Sequence, residues 1–163
     1  KGMGEKKTIS NWVKYIKRGG GIINPDGDID IIKAMLSKAR GKLKTAQIDF
    51  DNERYDDSVS RSYYAVFHTI SAVLLSKGLH FSSHGQTMGA FNKEFIKSKV
   101  FSASFTKIIE KLFSGRQIGD YDIGNYLGAD VAKEDLEEAG KIIEACETYL
   151  AKIYKVSKDY WKE

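Results

Sequence analysis

Apolar residues recur three and four positions apart along almost the whole chain, and no stretch keeps the strict alternation of a strand. The longest stripe, Ile32, Met35, Leu36, Ala39, Leu43, Ala46 and Phe50, predicts a helix from near Asp28 to about Asn52. Lys33, Arg40 and Lys44 flank that stripe on one side, Lys38 and Lys42 on the other. A brief break over 52–55 leads into a second helix, from about Asp56 to Lys77, with Gly78 as its left-handed cap. Ser83-His84-Gly85-Gln86 fits a capping box, Ser83 as N-cap and Gln86 three positions on. It opens a third, shorter helix through Met88, Phe91, Phe95 and Ile96. Ser102 or Ser104 opens a fourth, which carries Phe105, Ile108, Ile109, Leu112 and Phe113 towards Tyr121. After a loop over 122–129, a last helix runs from about Val131 to Tyr154 on Leu136, Ala139, Ile142, Ile143, Cys146, Tyr149, Leu150 and Ile153. The fold class is all-α, an up-and-down bundle of about five helices.

The two ends read differently from this body. Residues 1–27 form a basic N-terminal arm, with a short amphipathic helix over 8–18 capped by Ser10 or Asn11. Trp12, Tyr15 and Ile16 share one side of it, and Trp12 is expected to dock on the main body. Gly19-Gly20-Gly21 breaks that helix, and Asn24-Pro25-Asp26-Gly27 is a turn. Residues 28–155 make up the bundle domain. Residues 156–163 are a charged tail, relieved by Val156 and Tyr160-Trp161. Charge separates the arm again: its first 20 residues hold six Lys/Arg against Glu5, leaving 20 Lys/Arg against 21 Asp/Glu elsewhere. A basic arm on a near-neutral body suits a polyanion, and equally a solvated end.

Composition narrows the function. With 163 residues, 42% of them hydrophobic, the chain can bury one proper core. Its single cysteine, Cys146, excludes an internal disulfide and suits the reducing cytoplasm. No apolar run approaches the roughly 20 residues that span a bilayer, so no membrane association is expected. The polar, basic start does not read as a signal peptide. His80 and His84 have a ligand-like spacing, but they straddle a break and no Asp, Glu or Cys is near them in sequence. Cys146 sits in an apolar stripe as a packed thiol, and Gly19-Gly20-Gly21 lacks the Lys-Ser/Thr of a phosphate loop. No metal and no cofactor is expected.

The chemistry gathers on the second helix. Stepping about 100° per residue from Arg61 gives it two faces. Val59, Tyr63, Val66, Phe67, Ile70, Val73 and Leu74 form a core stripe. Asp57, Arg61, Tyr64, Ala65, His68, Ala72 and Leu75 form a mixed face, where Arg61 and His68 project together two turns apart. An imidazole moves protons near neutral pH, and a guanidinium holds phosphate oxygens bidentately. Together they are a minimal kit for cleaving RNA without metal. Two copies meeting across a two-fold axis would double the kit, with Ala65 and Ala72 small enough to let the helices approach. The structural alternative pairs Arg61 with Asp57 and makes His68 a partly buried interface residue. Arg116, Asp120 and Tyr121 form a second grouping. It reads either as an intrahelical ion pair with a tyrosine fixing the final loop, or as positive charge supplied to a cleft.

Ser60-Arg61-Ser62-Tyr63-Tyr64-Ala65-Val66-Phe67-His68, the Ser83-His84 turn with Phe91-Asn92-Lys93-Glu94-Phe95-Ile96-Lys97, and Arg116-Gln117-Ile118-Gly119-Asp120-Tyr121 resemble the HEPN superfamily. More narrowly, the chain looks like the small stand-alone prokaryotic members encoded beside minimal nucleotidyltransferases. The resemblance runs from about Ala34 to Leu150. It implies a ribonuclease motif, an arginine followed after four to six residues by a histidine, which Arg61 and His68 match as catalytic residues. It implies a polar residue after the arginine, here Ser62. Ser62, Tyr64 and Arg116 are the expected substrate-binding residues. It also implies a homodimer with both motifs lining one cleft, and a toxin restrained by a nucleotidyltransferase antitoxin. Such an antitoxin can adenylylate a tyrosine two residues after the histidine, and here that position is Ile70. Many members of the narrower group lack the full motif. The alternative is therefore a non-catalytic module that holds a nucleotide or a partner.

Overall fold

The computed structural model of the protein describes residues 21–22, 29–121 and 127–163. The predicted arm helix over 8–18, the docking of Trp12, the turn at 24–27 and most of the final loop lie outside the described residues.

Five α-helices carry the fold: α1 (Ile29–Asp51), α2 (Tyr55–Leu75), α3 (His84–Phe91), α4 (Ser104–Tyr121) and α5 (Ala129–Tyr154). The all-α bundle read from the sequence is the architecture observed. Gly78 takes a φ of 72° after α2, as its cap position requires. At α3, the Ser83 hydroxyl oxygen accepts from the Gln86 backbone N–H at 3.2 Å, so the capping box forms where the sequence placed it. A π-helical turn (Asn92–Ile96) extends α3. The chain also pairs a two-residue strand, Gly21–Ile22, antiparallel with Leu79–His80. Two residues per strand are too few to leave an alternating pattern in the sequence.

The helix α2 is the hub, packed against α1, α4 and α5, whereas α4 and α5 scarcely meet each other. Its sequence explains this. From Thr69 to Leu75 all seven residues are buried, five of them apolar, so the end of the helix is enclosed on every side. Around it, Phe91, Phe95, Phe101, Phe105 and Tyr149 form a cluster of stacked and edge-on rings under α3 and α5. The fully buried Glu147 of α5 receives both Nε and Nη2 of Arg40 from α1, a bidentate pair that satisfies its carboxylate inside the fold.

The C-terminal segment is part of this packing. A 3₁₀ turn (Lys158–Lys162) folds back so that Trp161 is buried, with Tyr154 and Tyr160 edge-on to its ring. The Lys33 ammonium of α1 lies 4.3 Å from the Tyr160 ring centre. The charged tail of the sequence is thus a strap held by one aromatic anchor.

Candidate functional site

Arg61 and His68 lie on the strip of α2 that the bundle leaves uncovered, and the loop before α2 sets where that strip points. Residues 52–54 turn the chain tightly. Glu53 takes a φ of 60°, the Arg54 backbone N–H bonds to the Asp49 carbonyl at 2.8 Å, and the Arg54 side chain reaches Asp49 at 2.5 Å. One turn into α2, the buried Ser58 hydroxyl donates to the Ala46 carbonyl of α1 at 2.8 Å. These contacts fix α2 against α1 in rotation as well as position.

The strip is narrower than the helical wheel implies. Thirteen residues of α2 are buried, among them Ala65, Ala72 and Leu75 from the face assigned to chemistry, and Ser62 next to Arg61 in sequence. Two expectations change. Ala65 and Ala72 are consumed in packing within one chain, so they are not the small residues of an interface between two chains. Ser62, at 0% exposure, lies inside the bundle and does not reach the surface that Arg61 and His68 share. The cause is common: α2 has neighbours on three sides, and a wheel drawn for one buried face undercounts them.

Arg61 is exposed. It takes part in no ion pair among the described residues, so the alternative pairing with Asp57 is not formed. His68 is half-buried, its ring edge-on to Phe67. Burial lowers its pKa to about 4, with the Lys38 and Lys42 ammoniums of α1 adding to the effect. At neutral pH the imidazole is therefore neutral and able to accept a proton.

A second cluster lies on the other side of α2, against α4. Two glycines let α4 come close: a Cβ on Gly115 would stand 3.0 Å from Val59 Cγ1, and one on Gly119 would stand 3.3 Å from the Asp56 carbonyl. That approach brings Arg116 over the rings of Tyr63, Tyr64 and Phe113 at 5.4, 5.7 and 5.4 Å. The Arg116 guanidinium donates to the Tyr64 hydroxyl at 3.1 Å and meets Asp120 at 3.4 Å. The structure thus joins Tyr64 and Arg116, two of the expected substrate-binding residues, and forms the intrahelical pair as well. Tyr121's side chain lies outside the described residues.

The sequence missed His84's part in this cluster. Its ring stacks on Phe113 at 3.7 Å, its Nδ1 is 2.8 Å from the Tyr63 hydroxyl, and its Nε2 is 3.6 Å from Glu110. Burial pushes the Tyr63 phenol up to about 12, so it stays protonated at neutral pH. His84 is consequently tied into the scaffold.

Other candidates resolve simply. Cys146 is buried, and burial with Glu147 beside it raises its thiol pKa, which keeps it a thiol at neutral pH. Ile70, at the position where a modified tyrosine is expected, is buried in the core. Among the described residues no three His, Cys, Asp or Glu gather where they could hold a metal ion. No helix among them is long and apolar enough to cross a membrane.

Comparison with known proteins agrees with this architecture. The HEPN domain family matches residues 32–149. A Thermotoga maritima protein named as a UPF0332 protein is 34% identical over 129 residues, covering 79% of this chain and 92% of that protein. A protein of Methanocaldococcus jannaschii named as a putative toxin is 32% identical over 128 residues, covering 78% of this chain and 90% of that one. Among solved structures, the crystal structure of a Thermus thermophilus protein superposes with a TM-score of 0.61. It shares 15% identity and covers 72% of this chain and 96% of its own, a likeness of fold. Sequence, bundle and motif positions converge: the chain belongs to the HEPN domain family.

Proposed function

We propose that this HEPN protein is a metal-independent endoribonuclease of toxin type, working as a homodimer and restrained by a minimal nucleotidyltransferase partner. The observation that carries the reading is one exposed strip bearing an arginine without a counter-ion among the described residues, beside a neutral, half-buried imidazole.

The chemistry follows from those two groups. Neutral His68 takes the proton of a ribose 2′-hydroxyl, and the freed oxygen attacks the adjacent phosphorus. Arg61 grips the non-bridging oxygens and stabilises the negative charge of the pentacoordinate transition state. The bond to the 5′-oxygen breaks, and that oxygen needs a proton. One chain supplies one imidazole, held neutral. The acid is the His68 of a second copy in its protonated form, which the RNA phosphate beside it favours against burial and the ammonium charges. The products are a 2′,3′-cyclic phosphate and a 5′-hydroxyl. Tyr64 stands on the rim of the strip, and Arg116 holds its hydroxyl in place. Ser62 is given no contact with substrate.

The single neutral imidazole also favours a second reading. If copies never bring two His68 rings together, the same strip holds a nucleotide or a protein partner without chemistry. Incubating the purified protein with RNA in excess EDTA separates the two. Cleavage that leaves a cyclic phosphate and is lost in Arg61→Ala and His68→Ala supports the nuclease. Intact RNA across varied substrates, together with measurable nucleotide affinity, supports the module.

A further inference from the structure

The strip that carries Arg61 and His68 has a second wall, supplied by α1. The two helices are antiparallel neighbours, joined by the turn at 52–54. The Ser58–Ala46 hydrogen bond, the Arg54–Asp49 pair and the contact of Phe50 with Tyr55 at 5.5 Å agree on one register to within a residue, with Ser58–Ala46 in the middle. Carried along the helices residue for residue, that register sets Leu43 level with Arg61 and Leu36 level with His68. Lys38 and Lys42 fall between those levels. One turn apart, they share a side of α1.

Three features suit these lysines to a polyanion. Lys38 is exposed and Lys42 half-buried, so both ammonium groups can reach outward from the seam. Neither takes part in an ion pair among the described residues, nor does Arg61. Both act on the His68 imidazole through space, which puts them on the side of α1 that faces it. The result is three cations and an imidazole along a strip about 10 Å long. That length exceeds the spacing of neighbouring phosphates on one strand, so the strip can meet the scissile phosphate and at least one beside it.

We propose that Lys38 and Lys42 bind RNA phosphates next to the scissile one, making α1 the second wall of the substrate groove. The assignment rests on the reading of this face as the RNA site and adds the residues that hold the strand there. Lysines contact phosphate as flexible point charges, so the contact is independent of sequence.

The test is fluorescence anisotropy with a labelled, uncleavable 2′-O-methyl RNA oligonucleotide, so that binding is read apart from chemistry. The Lys38→Gln/Lys42→Gln protein is compared with Lys44→Gln/Lys97→Gln, which removes the same charge elsewhere, after circular dichroism shows both folded. The first pair is expected to weaken binding about tenfold at moderate salt and to lower the log–log salt slope by about 1.4. The second is expected to change affinity less than about twofold. Equal losses in both pairs, no loss in either, or no binding by the unaltered protein overturns the assignment. Intact RNA in the cleavage assay beside a selective loss of binding in the first pair upholds the groove and sinks the nuclease reading.

Discussion

Two groupings built on an arginine and a histidine flank α2, and they differ in what their polar groups have left to do. On the α4 side, Arg116, Tyr64, Asp120, Tyr63, His84 and Glu110 are tied to one another and packed on Phe113. On the α1 side, Arg61, Lys38 and Lys42 have no counter-ion among the described residues. His68 beside them is held neutral. Similar residues therefore serve opposite ends. A cation already paired and stacked stabilises the bundle, and one left unpaired beside a poised base is available to substrate.

The largest expected effect is on the unpaired side. Arg61→Ala should lower metal-free RNA cleavage by about 10²–10³-fold, because it removes the charge that meets the transition state. Since Arg61 is exposed and makes no ion pair among the described residues, chemical denaturation should register a change within about 0.5 kcal/mol.

The pH profile is the next sharpest. An ordinary imidazole at 6.5 would lose about thirtyfold of its neutral form by pH 5. With His68 lowered to about 4 and one of its two copies needed protonated, kcat/KM should instead rise as pH falls from 7 to 5 and peak near pH 4. The stability linkage has the opposite sign. The folded-state value lies below the unfolded one, so the unfolded chain takes up the proton first. This group's contribution is complete above about 6.5 and is lost as pH falls to about 4. An NMR titration of the His68 ring gives the midpoint directly, and a value near 6.5 would contradict the burial and the lysine charges assigned to the ring.

Smaller effects belong to the tied side. Gly115→Ala should cost about 1–3 kcal/mol in urea denaturation, since its Cβ meets Val59 Cγ1 at 3.0 Å. Tyr63→Phe should cost about 1 kcal/mol, the net worth of the bond to His84. Neither should change the cleavage rate more than about twofold, because neither touches the α1 side of α2.

Much of the bundle was legible in the sequence, for reasons visible in particular residues. Gly78 and the Ser83–Gln86 box are local signals, and both formed as read. Arg116 with Asp120 is a contact four residues apart, and it too formed. What escaped was set by distant residues. His84 stacks on Phe113, 29 positions away, and nothing in either neighbourhood announces it. Ala65 and Ala72 were assigned to an outer face because a wheel cannot count how many helices surround α2, and Ser62 was expected at the substrate from the resemblance alone. Trp161 sits in a segment too polar to read as core, and a single ring was enough to fold it back. At the site, the Arg61–His68 pair was readable from spacing. The neutrality of His68 was not, because it depends on burial and on lysines from another helix.

The most direct measurement compares the two histidines. Metal-free RNA cleavage and thermal unfolding are followed together for His68→Ala and His84→Ala. His68→Ala should abolish cleavage and leave the unfolding temperature nearly unchanged, whereas His84→Ala should lower that temperature and leave the folded protein's cleavage intact. Cleavage that survives in His68→Ala, or that disappears only in His84→Ala, would contradict the assignment of function to the unpaired side of α2.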